Sequence, residues 1–175
     1  MMGAGKTTVG RLLADMLGRR CIDTDDEIVR HTGLAIPELF ATRGELGFRA
    51  VEAEVVAGLS RFDDLVLALG GGAVLSDDNV ANLLLTGVIV HLDVPADVLV
   101  TRLHDEADGR PLLADGDLDT TLAVLHAARH ARYDEVADLV VDATPEPAQV
   151  ARAVLDWAMR ARDVLTPSEH EQVLR

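Results

Sequence analysis

The sequence predicts an α/β fold, a three-layer α/β/α sandwich around a mostly parallel sheet, on two observations. Short apolar runs at 21–22, 65–69, 88–92 and 139–141 alternate with stretches of helical periodicity. Strand, helix, strand in alternation folds into parallel βαβ units with right-handed crossovers. The opening Met1-Met2-Gly3-Ala4-Gly5-Lys6-Thr7-Thr8 is a glycine-rich turn running into a helix, and such a turn normally sits between a strand and a helix of an α/β sheet.

The elements follow in chain order. Val9, Leu12, Leu13, Met16 and Leu17 share one helical face over 6–18, ending at Gly18. After the Cys21-Ile22 strand, Thr24 with Glu27 three residues on has the pattern of a capping box for a helix through His31, closed by Gly33. A short helix over 36–41 precedes a longer one over 45–60, whose apolar face is Phe48, Val51, Val55 and Leu59. The strand at 65–69 breaks at Gly70-Gly71-Gly72, a helix covers 77–85, and the strand at 88–92 ends at Asp93 and Pro95. Helices are expected over 96–103, 120–136 and 148–162, the last carrying Trp157 as a core residue, with a strand at 139–141. Residues 104–118 hold Gly, Pro and Asp without periodicity, as in a mobile lid. The domain is expected to span 1–163, with 164–175 a tail in which 166–175 have no apolar face and read as frayed.

The opening stretch carries the clearest chemistry. Backbone amides of a glycine-rich turn can curl around an oxyanion, and the helix start adds partial positive charge. Lys6 is the only lysine in a chain with 16 basic residues. In a chain that otherwise uses arginine throughout, a lysine stands where a compact, rotatable ammonium suits the β- and γ-phosphates. The full pattern is Gly, four residues, then Gly-Lys-Thr/Ser. Gly5-Lys6-Thr7 matches it, while the first glycine would fall one residue before Met1. The expectation is therefore that the natural start lies upstream and that a strand preceding the loop is missing from this chain. Nucleotide contacts are assigned to Gly3, Ala4, Gly5, Lys6, Thr7 and Thr8, with Thr7 as the Mg²⁺ ligand.

Composition narrows the partners. With 175 residues and 49% apolar content there is chain enough for one well-filled core. A net charge of −14 repels nucleic acid and anionic membranes over most of the exterior, so an anionic substrate has to be drawn by a local arginine cluster. One cysteine, Cys21, forms no intramolecular disulfide and reads as a packing residue. No apolar run approaches the roughly 18 residues of a membrane span. A cytoplasmic monomer acting on small molecules is expected.

Several further motifs are weak singly. Asp23-Thr24-Asp25 stands at a strand end, where ligands approach open α/β sheets. Two carboxylates one residue apart can divide their roles, one towards metal-bound water and one towards a substrate hydroxyl. Gly44-Glu45-Leu46-Gly47-Phe48-Arg49, the triple glycine 70–72, Gly109-Arg110-Pro111-Leu112 and Arg129-His130-Ala131-Arg132-Tyr133 complete the set. In that order and at those spacings, from Met1 to about residue 163, the motifs resemble the shikimate kinase family, small phosphate-loop kinases with the P-loop NTPase, nucleoside-monophosphate-kinase-like fold.

The resemblance implies transfer of the γ-phosphate of ATP to the 3-hydroxyl of shikimate, with Mg²⁺. It implies that Lys6 contacts the transferring phosphate, that Thr7 holds the metal, and that Asp23 assists through water. Asp25 would bind shikimate hydroxyls and orient or deprotonate the attacking one. Arg49 and Arg129 would clamp the carboxylate, Gly71 and Gly72 would offer backbone contacts, and Arg110 would swing in from the lid. The chain departs from the family at Ala131, usually proline, and at Ala68-Leu69, where a hydroxyl is common. It departs again at Thr144-Pro145-Glu146-Pro147, which brings no arginine to adenine and leaves that contact to Arg102. The six histidines show no metal-ligand spacing and read as structural. Two alternatives stay open at this level: a related kinase for another small hydroxy acid such as gluconate, and an inactive nucleotide-binding relative.

Overall fold

The computed structural model describes residues 1–106, 118–161 and 164–174. The Gly109–Leu112 motif, with Arg110, lies outside them, as does most of the segment read as a lid. Helices α1 (Lys6–Leu17), α2 (Thr24–Thr32), α3 (Ile36–Leu59), α4 (Asp77–Leu83), α5 (Ala96–Glu106), α6 (Leu118–Val136), α7 (Pro147–Ala158) and α8 (Pro167–Val173) alternate with four strands. The strands are β1 (Arg20–Asp23), β2 (Leu65–Ala68), β3 (Val90–Asp93) and β4 (Leu139–Asp142). The four expected strands are all present and all pair in parallel, as β1 with β2 and β3 with β4. No strand precedes α1 among the described residues. A cavity of about 70 Å³ lies between the two pairs, lined by Leu69 to Gly71 on one side, Ile89 to Leu92 on the other, and Met1 and Lys6.

Alternation along β2 builds the layers. Leu65 and Leu67 pack with Ile28, Leu39, Phe48, Val51, Val55 and Leu59 of α2 and α3. Val66, one residue out of phase, packs on the other face with Leu17, Leu155 and Ala158 of α1 and α7. A further core joins Val9, Leu99, Leu103, Leu122, Tyr133, Val150 and Ala151. Half-buried Cys21 lies against Gly10, its sulfur 3.3 Å from where a β-carbon there would stand, and burial raises its thiol pKa, in keeping with a packing role. Trp157 is likewise half-buried, against the α1–α7 cluster.

Three expectations are corrected. The two helices anticipated over 36–60 form one continuous ladder bent at Gly44, whose φ of 65° is available to glycine at little cost. The cap of α2 is Asp23, whose side chain accepts from the Asp25 amide, and not Thr24. Thr24 is buried, and its Oγ1 accepts the Gly70 N–H at 2.8 Å.

The third correction is the tail. Residues 166–174 are not frayed: Thr166 and Glu169 form a reciprocal capping box that starts α8. Glu169 also takes the Arg19 Nε at 2.5 Å, and Val164, Leu165 and Val173 pack against the α1–α7 cluster. A helix too polar to hold itself is fixed by its cap, by one ion pair and by apolar residues at its two ends.

Candidate active site

The carboxyl ends of β1 and β2 meet the amino end of α1, and the described site residues other than Arg102 collect there. The first turn of α1 carries no side-chain cap and no acidic residue, so amides at 6–8 are free to face an anion. Gly3 and Gly5 both have positive φ in the turn that feeds this helix, and Ala4 is buried beneath it. Thr8 is exposed at the helix start. The Lys6 ammonium folds back on its own loop, donating to the Met1 carbonyl at 2.6 Å. Burial lowers its pKa, against the opposing pull of Asp25 and Asp23.

Thr7 and Asp23 come together across β1: the Thr7 hydroxyl donates to Asp23 Oδ2 at 2.6 Å. Both donors are oxygens, one of them anionic, which is the chemistry of a hard-cation site and fits Mg²⁺. The other Asp23 oxygen is engaged by the Asp25 amide at 3.0 Å.

Asp25 turns the opposite way, towards the glycines after β2. A β-carbon on Gly70 would stand 2.6 Å from Asp25 Oδ1 and 3.3 Å from Glu52 Oε1, so the absence of a side chain there admits both carboxylates. Burial pushes the Asp25 pKa up, nearby Asp23 pushes it further, and Lys6 opposes both. The result is a more basic carboxylate than a surface aspartate, as a proton acceptor requires.

The two arginines close the ring. Arg49, re-aimed by the bend at Gly44, lies against Gly72 and donates to Glu52 Oε2 at 2.7 Å and to Glu45 Oε1 at 3.4 Å. Arg129 reaches Gly71, its Nη1 3.8 Å from where a β-carbon would be. The Tyr133 hydroxyl, one helical turn on, donates to the Gly71 carbonyl at 2.6 Å. Lys6, Asp25, Arg49 and Arg129 thus face one crevice around residues 70–72. Arg102 stands apart, donating to the Ala143 and Thr144 carbonyls at 2.9 and 3.0 Å, so it pins the loop after β4.

Two contributors escaped sequence reasoning. Glu52 is only 2% exposed, ion-pairs with Arg49, and has its pKa raised by burial. Its spacing three residues after Arg49 on one helix was the available signal. Asn79 is buried and donates to the Ala73 carbonyl at 3.0 Å, bracing the turn after the glycines; nothing in its sequence context marks it.

With this geometry in place, similarity to known proteins is informative. The family model described as shikimate kinase matches residues 2–159. A shikimate kinase of Halorhodospira halophila is 45% identical over 156 residues, covering 89% of this chain and 88% of that protein. One of Nitrosomonas europaea is 43% identical over 149 residues, 85% of this chain and 70% of that one. Among solved structures, the shikimate kinase of Acinetobacter baumannii in complex with shikimate superposes with a TM-score of 0.84 at 38% identity, covering 92% of this chain and 90% of that one. The shikimate kinase of Bacteroides thetaiotaomicron gives 0.82 at 30% identity, with coverages of 89% and 93%.

Proposed function

The chain belongs to the shikimate kinase family, and we propose that it moves the γ-phosphate of ATP to the 3-hydroxyl of shikimate, giving shikimate 3-phosphate and ADP, with the crevice around residues 70–72 as its site. The observation that carries this reading is the convergence of Lys6, Asp25, Arg49 and Arg129 on one set of glycines. A small acid with several hydroxyls needs two guanidinium groups for its carboxylate and an acceptor for one hydroxyl proton. The crevice offers both next to an anion-binding helix start.

Phosphoryl transfer asks for positioning and charge compensation more than covalent chemistry. Arg49 and Arg129 fix the substrate carboxylate, and the main chain of Gly71 and Gly72 supports the ring. Asp25 accepts the proton of the attacking hydroxyl at its carboxylate oxygen, a step favoured by its raised pKa. Lys6 exchanges the Met1 carbonyl for phosphate oxygens, and the amides of residues 3–8 cradle the rest. Thr7 and Asp23 would hold Mg²⁺, which when bound neutralises charge on the phosphate oxygens. Arg110 belongs to this reading as the residue that closes over the phosphates, and Arg102 as the one that holds the adenine loop. The kinase domain is proposed to span 1–163, with residues 164–174 docked on its α1–α7 face, in a cytoplasmic monomer, the cytoplasmic setting being supported by the single free thiol. No helix among the described residues is long and apolar enough to cross a membrane.

The test is a coupled assay of ADP release with shikimate, gluconate and no acceptor. Shikimate-dependent turnover that falls by about 10²- to 10³-fold in Lys6→Met is expected, the loss typical of removing one preorganised charge. Turnover with gluconate alone, or none with either acid, overturns the reading. A lysine-selective reagent gives an independent check, because Lys6 is the only side-chain target and ATP should protect it.

A further inference from the structure

At the far end of the other strand pair, three side chains from two elements meet. Asp93 closes β3, and His126 and His130 lie one turn apart on α6. One donor atom from each, a carboxylate oxygen or a ring nitrogen, falls within 4.8 Å of the others, and all three residues are half-buried. The His126 and His130 ring centroids are 4.9 Å apart. In the sequence these histidines read as structural for want of ligand spacing; the His126 and His130 pair four residues apart on one helix was in fact the signal available, and Asp93 lies far from it in the chain.

The hydrogen bonding around His130 asks for a cation. Its Nδ1 is 3.1 Å from Asp134 Oδ2, and its Nε2 is 3.1 Å from Asp93 Oδ1. A neutral imidazole has one N–H and can serve only one carboxylate; the second nitrogen then sets a lone pair against an anionic oxygen. Either a second proton or a metal ion resolves that contact. Asp134 is itself anchored, its Oδ1 2.8 Å from Nδ1 of buried His91. A carboxylate on Nδ1, with Nε2 turned towards the other donors, is the arrangement by which proteins orient a histidine towards a metal. Among the described residues His126 makes no hydrogen bond, which leaves its ring nitrogens available.

We propose that Asp93, His126 and His130 form a binding site for a divalent first-row transition-metal ion of the zinc class, separate from the Thr7 and Asp23 oxygens. Two imidazoles and one carboxylate select such ions over Mg²⁺ or Ca²⁺, which prefer all-oxygen sets. Three protein donors leave a position for water. Tetrahedral ligands about 2.0 to 2.2 Å from zinc stand about 3.3 Å from one another, so side-chain rotation within the cluster closes the site. The ion ties the end of β3 to α6, the helix that carries Arg129 and Tyr133.

The experiment is calorimetric titration of the chelator-stripped whole chain with ZnCl₂ alone, together with Asp93→Asn, His126→Ala and His31→Ala. One zinc per chain is expected, with affinity at least about tenfold weaker in the first two variants, the loss typical when a ligand or its support is removed, and unchanged in the third. Zinc at about a hundredfold excess over Kd should raise the Tm of the unaltered chain by about 5 to 10 °C. Co²⁺ on the unaltered chain should show the visible bands of a low-coordinate nitrogen and oxygen site, a readout that does not depend on any variant folding. No stoichiometric binding, unchanged affinity in either Asp93→Asn or His126→Ala, or a hexaaquo-like cobalt spectrum overturns the site.

Discussion

The guanidinium of Arg49 occupies the space that a side chain on Gly72 would fill: a β-carbon there would lie 2.6 Å from Nη2 and 2.7 Å from Cζ. The obstructing atoms are the far end of a flexible side chain, so the fold can absorb a methyl group while the arginine cannot keep its place. Gly72→Ala is expected to shift Tm by less than about 2 °C, a surface-sized effect for a domain of this length. It should raise KM for shikimate about tenfold, the equivalent of roughly 1.4 kcal/mol of lost carboxylate binding. Thermal denaturation beside steady-state kinetics separates the two; a large Tm loss with unchanged KM would contradict the contact.

Asp25 sets activity against stability. Its folded pKa is raised, first by burial and then by Asp23, so its contribution to stability is fullest below the unfolded value near 3.8 and is lost as pH rises through the folded value. Asp25→Asn is therefore expected to raise Tm at neutral pH while lowering kcat by about 10²-fold or more. In the unaltered chain, kcat should fall as pH drops through the raised pKa and the carboxylate gains its proton. A variant that is both less stable and fully active would refute the assignment.

Thr24 holds the glycine loop to the start of α2. It is fully buried; its hydroxyl accepts from the Gly70 amide at 2.8 Å and donates to the Ala68 carbonyl at 3.4 Å. Thr24→Val keeps the shape but leaves that amide unpaired, at a cost of about 1 to 3 kcal/mol. Denaturant unfolding should show the loss, and Thr24→Ser should restore most of it.

Glu169 fastens α8. The Arg19 hydrogen bond, followed by those from Thr166, holds its pKa down to about 2 against the partial burial that opposes them. A depressed carboxylate stabilises the fold above its unfolded pKa of 4.5 and loses that effect as pH falls towards 2. Glu169→Gln should cost on the order of 1 to 3 kcal/mol at pH 7. The gap between variant and parent should narrow steadily below pH 5; a constant gap would mean the ion pair is not its source.

Much of the site was legible because its parts are local. The loop at 3–8, Asp23 and Asp25 at a strand end, and the glycine-and-arginine motif at 44–49 are each short in the chain; Thr7 and Asp23 meet at the helix start, and Asp25 and Arg49 reach the glycines at 70–72. Thr24 misled because capping is a competition: a threonine able to cap instead ties the start of α2 to the glycine loop after β2, and Asp23 took the cap. The tail misled because its own sequence has no apolar face, although Thr166 and Glu169 have capping-box spacing. What docks it is Arg19, 150 residues away.

By itself the sequence determined the order of strands and helices and the glycine-rich turn at the start of α1, since periodicity, turn residues and helix starts act within a few residues. Only the tertiary structure decided which carboxylate stands beside which cation. Glu52 against Arg49, Asp134 between His91 and His130, and Asp93 beside His126 depend on how whole layers pack. The reason is physical: charge interactions and hydrogen bonds fall off within a few ångströms, so their partners are chosen by the fold's three-dimensional approach and leave no period in the chain.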